Sequence, residues 1–318
     1  MSQPTNIDRQ LRNVYRRRRA TAAAVVAVPI IAIALALRSG DDDTAVDAEA
    51  TAPAAAPAQL PRGGRRIFPE HRVVAFYGAP QSRELGELGI GTPASAAKRL
   101  RRAARPYERK TRPVLPAFEL ISTIATADAG RDGMYRMHQP AKTIERYLAG
   151  ARKAKALLLL DIQPGRDDFL SEAKRLQKWL LQPDVGLALD PEWHVGADEV
   201  PGKTLGSVTA QKVNEVAAYL SDLIRKHDLP EKLFIIHQFT DNMISEREQL
   251  RDHPGLAVTL NIDGFGDRPN KVSKYNAFTE DQPRFNDGFK LFYEEDTNLM
   301  SPRAVLALGP PPDLIVYE

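Results

Sequence analysis

Eight short apolar runs recur between amphipathic stretches over the last 252 residues, and this alternation limits the folds open to the chain. The runs are 73–77 (VVAFY), 114–121 (VLPAFELI), 156–162 (ALLLLDI), 186–190 (GLALD), 232–238 (KLFIIHQ), 256–263 (LAVTLNID), 289–293 (FKLFY) and 313–317 (DLIVY). Each is nearly continuous in apolar residues, the pattern of parallel strands covered on both faces. Helical periodicity lies between them at 94–105, 141–153, 168–181, 208–227, 243–251 and 302–308. Thr92-Pro93 and Ser301-Pro302 read as helix starts. Eight strands alternating with helices over this length predict an α/β fold, a (β/α)8 TIM barrel. A doubly wound open sheet is the alternative, but FYGAPQSRELGELGIG after the first run carries no dinucleotide fingerprint. The chain ends on the eighth run, so a barrel needs residues near 60–70 to cover the seam.

The barrel region, 67–318, follows three unlike segments. Residues 1–19 form a polar tail ending in Arg16–Arg19, and residues 20–37 (ATAAAVVAVPIIAIALAL) contain no charge. Eighteen residues at helical rise span about 27 Å, close to the apolar thickness of a bilayer. Basic residues before the run and Asp41–Asp43 after it predict a single-pass signal anchor with the C-terminal part extracytoplasmic. The alternative is secretion after cleavage near Ala36, since Ala34-Leu35-Ala36 fits the small-x-small rule. Residues 38–66 are rich in Ala and Pro and predict a disordered linker.

Composition narrows the chemistry. The absence of cysteine excludes disulfides, thiolate nucleophiles, Cys-bound zinc and iron–sulfur clusters. Residues 1–38 hold seven arginines and one aspartate, net +6, so a chain of +3 overall leaves −3 on the remainder. The basicity therefore belongs to the anchor, and no nucleic-acid partner is expected. No cofactor or metal is expected either: HxH, HExxH and HxxxH spacings are absent, as is the GxSxG nucleophile elbow.

Polar residues gather at the strand ends, where barrel chemistry resides. They are Tyr77, Glu119, Asp161, Asp190 with Glu192, Trp193 and His194, His237-Gln238, Asn261 with Asp263, and Glu294-Glu295-Asp296. The sharpest motif is LALDPEW at 187–193. In extended geometry Asp190 and Glu192 would point to the same side, and a carboxylate pair is the equipment for glycoside hydrolysis. The same residues also read as a turn opened by Asp190-Pro191. Trp193 could offer a sugar-stacking face.

An aliphatic fourth strand closing in D-x-E resembles the barrel glycoside hydrolases of the family 18 chitinases and family 25 lysozymes. The resemblance implies Glu192 as general acid and Asp190 as the residue orienting a substrate N-acetyl group. Tyr77, Glu119, Asp161, Trp193, His237, Gln238 and Asp263 would bind substrate. The chitinase repeat DxxDxDxE is incomplete, with Val185 and Ala188 at its first two acidic positions. The lysozyme aspartate of strand one is replaced by Phe76-Tyr77. A second arrangement, that of the large retaining-glycosidase clan, would pair Glu192 with Glu294 on strand seven. The expectation is a membrane-anchored, cell-envelope protein acting on an N-acetylated glycan. The alternatives are a non-catalytic glycan-binding barrel, or a metal-dependent hydrolase using His194 and His237 with Asp190 or Asp263.

Overall fold

The computed structural model describes residues 57–280 and 285–318. Eight parallel strands form a closed ring: β1 Arg72–Gly78, β2 Val114–Ala125, β3 Leu157–Ile162, β4 Val185–Leu189, β5 Lys232–Gln238, β6 Leu256–Ile262, β7 Asn286–Leu291 and β8 Leu314–Tyr317. Each strand pairs with its sequence neighbours. Closure is made by β1 with β8, Val73 opposite Leu314 and Phe76 opposite Tyr317. All eight predicted strands are present. β2 runs four residues past its expected end, where Arg136–His138 pairs back on it antiparallel. Part of the connection between the second and third strands is thus a hairpin.

Strand alternation divides the core in two. Val73, Ala75, Tyr77, Leu157 and Leu159 face the barrel interior, whereas Val74, Phe76, Leu158 and Leu160 pack against the helices. The interior is tight. A Cβ on Gly288 would come within 2.6 Å of Asn261 Oδ1, so this glycine makes room for a polar residue of the neighbouring strand.

The helices are α1 Pro93–Ala104, α2 Ala141–Ala154, α3 Phe169–Arg175, α4 Gln177–Leu180, α5 Ala210–Lys226, α6 Arg268–Thr279 and α7 Pro302–Leu306. Thr92 and Ser301 cap α1 and α7 as their sequence context predicts. The expected helix 168–181 breaks at Leu176 into α3 and α4. The expected helix at 243–251 is replaced by 3-10 turns at Asp241–Met243 and Arg247–Gln249. Helix α6 escapes sequence periodicity because its buried face includes Lys271 beside Tyr275 and Phe278.

Residues 60–68 do not cover the β8–β1 seam. They close the N-terminal end of the barrel, where Leu60, Ile67 and Phe68 join the interior core. The Glu231 carboxylate accepts from the Ile67 and Phe68 amides, and Arg65 donates to Leu229 O at 3.0 Å. The segment read as linker therefore becomes part of the barrel before residue 66. The seam itself is covered by Tyr107, whose hydroxyl lies 2.7 Å from that of Tyr317. Removing the plug's aromatic ring, Phe68→Ala, is expected to cost about 3–5 kcal/mol, read as a lower denaturant midpoint.

Among the described residues no helix is long and apolar enough to cross a membrane. The run at 20–37 and most of the predicted linker lie outside the described residues.

Candidate active site at the C-terminal mouth

Parity along each strand decides which polar residues meet. Tyr77 on β1 and Glu119 on β2 are register partners, as are His237 on β5 and Asn261 on β6. Asp161 on β3 lies opposite Ile121, just before a bulge in β2. Ser122, at that bulge, donates to Asp161 O at 2.8 Å and fixes the strand there. Asp190 follows β4, its amide bonded to Ile162 O at 3.0 Å. Asp263 follows β6, its amide bonded to Gln238 O at 2.9 Å. Lys290 on β7 and Glu318 after β8 complete the ring. Every strand thus contributes to one buried polar layer.

Two networks make up this layer. In the first, the Tyr77 hydroxyl lies 3.1 Å from Asp161 Oδ2 and 3.3 Å from Asp190 Oδ2. Gln163 Nε2 donates to Tyr77 Oη at 3.0 Å and to Asp190 Oδ2 at 3.1 Å. In the second, His237 stands between Glu119, 2.8 Å from Nε2, and Asp263, 3.0 Å from Nδ1. Lys290 Nζ pairs with Asp263 at 3.0 Å and Glu318 at 2.8 Å, and lies 3.9 Å from the Tyr77 ring centre. Tyr77 therefore touches both networks.

Charge balance governs the chemistry. Five carboxylates (Glu119, Asp161, Asp190, Asp263, Glu318) face two cations (His237, Lys290), and all are buried. Buried charge in excess of its partners takes up a proton or a counter-ion. Asp161 is held well above the ordinary carboxylate range, first by burial and then by the charge of Asp190. Burial raises Asp190 as well, opposed by His237 and Lys290. For His237, burial alone would favour the neutral ring, but Glu119 and Asp263 outweigh it and push its pKa well up. Burial likewise opposes ionisation of Asp263, yet Lys290 and His237 hold it far below the usual range. The site thus combines a carboxyl whose ionisation is opposed, Asp161, with an imidazole whose charged form is favoured by the carboxylates on either side.

The structure brings together six of the predicted site residues: Tyr77, Glu119, Asp161, Asp190, His237 and Asp263. Glu192, Trp193 and Gln238 stand apart from them. Pro191–Trp193 form a 3-10 turn, so the extended geometry expected for D-x-E does not hold. Asp190 enters the buried layer, while Glu192 is half-buried at the mouth, within electrostatic reach of Lys274. Trp193 is buried and does not stand open as a stacking platform. Gln238 donates to Thr240 O at 3.4 Å instead of joining His237. His194 donates from Nδ1 to Ser207 O and lies against Phe169, so it does not form the expected metal pair with His237. Glu294 sits on the rim, 2.9 Å from Arg83; the residue that β7 sends into the layer is Lys290.

Sequence reading missed Gln163, Lys290 and Glu318. Lys290 carried a signal, a lysine inside the apolar run FKLFY on the same parity as Gly288. Gln163 carried one too, two residues after Asp161 and hence on its face.

Glu119, Asp161 and His237 each offer a ligand atom, all within 4.8 Å of one another. Glu119 Oε2 and Asp161 Oδ1 are buried with no hydrogen bond among the described residues. Two carboxylates and an imidazole are a fitting donor set for a divalent transition metal. Asp263 would orient the ring through Nδ1.

A separate charged cluster fixes the β2 hairpin to α3. Glu172 Oε1 lies 2.8 Å from His138 Nε2, Glu172 Oε2 accepts from Thr123 at 2.8 Å, and Arg175 pairs with it at 3.1 Å. Burial would raise this carboxyl, but His138, Thr123 and Arg175 lower it to about 2. Its stabilisation, about 3 kcal/mol, is present above its ordinary pKa of 4.5 and is lost as pH falls from about 5 to 2. Glu172→Gln should therefore flatten the dependence of unfolding free energy on pH in this window.

No protein-family model matches the chain, and no curated protein is similar to it. The parallel ring and its polar mouth define the protein as an eight-stranded α/β barrel of the TIM type. Among solved structures it is similar to the spore coat polysaccharide biosynthesis protein SpsE of Bacillus subtilis, at 12% identity and a TM-score of 0.46. That match covers 79% of this chain and 62% of the other. The 5-methylcytosine deaminase of Klebsiella pneumoniae is similar at 14% identity and a TM-score of 0.29, over 64% of this chain and 44% of the other. The chain thus spans less than two thirds of either structure, and at these values neither match speaks to function.

Proposed function

We propose that the protein is a glycoside hydrolase acting on a cell-envelope or N-acetylated glycan, held at the outer face of a membrane by residues 20–37. The observation that carries this reading is the Asp161–Tyr77–Asp190 arrangement. It sets a strand-four carboxylate inside the mouth, beside a carboxyl whose ionisation is opposed by burial and by that carboxylate. Glycosyl transfer needs an acid for the leaving oxygen and a carboxylate to stabilise or orient the reacting centre. Glu192, at the mouth, serves as the acid. Asp190, fixed by Tyr77 and Gln163, orients the substrate. Turnover of defined N-acetylated glycans by Glu192→Gln and Asp190→Asn tests this. Full activity in both variants would remove the assignment. Membrane fractionation of cells expressing the full chain tests the anchor, and a soluble protein beginning near Leu37 would replace it with cleavage and secretion.

A second reading is favoured by the unbonded oxygens of Glu119 and Asp161 beside His237: a metal-dependent hydrolase. Elemental analysis of protein purified without chelator separates the two. Stoichiometric metal that disappears in Glu119→Gln supports the second reading; active metal-free protein eliminates it.

A further inference from the structure

The N-terminal end of the barrel, opposite the mouth, carries a basic surface that the proposed chemistry does not use. Residues 97–112 contain eight Lys or Arg and one acid, Glu108. Glu108 is occupied by the Val114 amide at 2.9 Å. Arg99 and Arg112 are paired with Glu87 and Asp313. Arg101, Arg102, Arg105 and Lys110 are exposed, as is Arg62 from the plug segment. None of these five forms an ion pair with another described residue.

Basic residues at a helix C-terminus complement its dipole, which accounts for Arg101 and Arg102. It does not account for cations continuing past the helix to Lys110, nor for Arg62 from a separate segment. Arg62, Arg101 and Arg105, against the single carboxylate of Glu108, also edge a cavity of about 210 Å³ floored by apolar groups that include Leu100, Val114 and Pro116. Guanidinium groups around an apolar floor suit an amphiphile with an anionic head.

Chain geometry favours one occupant. The described chain enters at this end, through Leu60 and Arg62. Nineteen residues, 38–56, separate that entry from the apolar run at 20–37. A random-coil chain of nineteen residues would span roughly 25 Å. The face beside the entry is therefore the one kept nearest the bilayer.

We infer that this basic face docks on the anionic phospholipid headgroups of the membrane that holds the chain, and so directs the carboxylate-rich mouth away from it. The inference rests on the proposed anchor. Surface potential fades within a Debye length of about 8–10 Å, so the cations act only when the face lies on the lipid.

The test uses the full chain in nanodiscs of phosphatidylcholine alone or mixed with phosphatidylglycerol, with hydrogen exchange followed across 60–66 and 100–112. Exchange should slow in the anionic discs only, and raised salt should restore it. Each neutralised cation should lower the docked-to-free ratio about fivefold. Arg62→Gln/Arg101→Gln/Arg105→Gln should then lower it roughly a hundredfold. Exchange that is equal in both lipids, or insensitive to salt, overturns the inference without any variant, so a misfolded triple mutant cannot rescue or sink it. Failure of the chain to stay in neutral discs refutes the anchor instead. In that case salt-sensitive sedimentation of the released chain with phosphatidylglycerol vesicles supports the face, and its absence refutes the face as well. Equal affinity for duplex DNA counts against a lipid-specific surface.

Discussion

Glu192→Gln and Asp190→Asn are each expected to lower turnover of an N-acetylated glycan by about 10²- to 10⁴-fold, the usual contribution of one acid–base group. The two losses should differ in kind. Glu192 is half-buried on a turn at the mouth, so its replacement removes a proton donor and leaves the barrel intact. Binding should persist, and kcat should fall with little change in KM. Asp190 is embedded between Tyr77 and Gln163. Asn keeps its shape and can still accept one hydrogen bond, but removes its charge. Asp161 owes part of its raised pKa to that charge, so Asp190→Asn should also lower the Asp161 pKa. Carboxyl NMR titration of Asp161 in the two proteins checks this directly. An unchanged Asp161 titration would mean that burial and the Glu119 charge raise it without help from Asp190.

Lys290→Met should destabilise the protein by about 3–5 kcal/mol, the cost of leaving buried charge without its partner. The ammonium contacts Asp263 and Glu318 and lies over the Tyr77 ring, so its loss removes a cation from two buried carboxylates at once. The pH dependence distinguishes this cause from a packing defect. In the native protein Asp263 is depressed, so its stabilisation exists above the ordinary carboxylate range and is lost as pH falls. Without Lys290 the Asp263 carboxyl loses the charge that most holds it down, so protonating it costs the folded state less. The deficit should therefore shrink as pH falls from 7 to 5, in denaturant unfolding of variant and native protein. A pH-independent deficit would point to lost packing of the lysine stem.

The polar layer explains why single residues were easier to find than their arrangement. Asp161, Asp190, His237 and Asp263 each close an apolar run, and a charged residue there stands out against its neighbours. Lys290 did not stand out, because a lysine within an aliphatic strand reads as a surface position until the strand is known to be closed on both faces. Glu192 illustrates the opposite error. Two-residue spacing predicts a shared side only while the strand continues, and Pro191 turns the chain into a 3-10 turn one residue too early. The plug at 60–68 was hidden by its Pro and Gly content, which reads as linker. Only the buried Leu60, Ile67 and Phe68 reveal that it folds back into the barrel.

The sequence by itself determined the barrel, because apolar runs covered on both faces and separated by amphipathic helices have few other ways to hide from water. It also determined the polar character of the mouth, since a charge that ends a buried strand must lie at the strand's end. What only the tertiary structure decided is which charges share the interior. That choice depends on register and closure, which bring Tyr77 beside Asp161 and Asp190, and Lys290 between Asp263 and Glu318, across separations no local pattern encodes. The raised pKa of Asp161 follows from its burial first and from the Asp190 charge second, both of which closure of the barrel supplies.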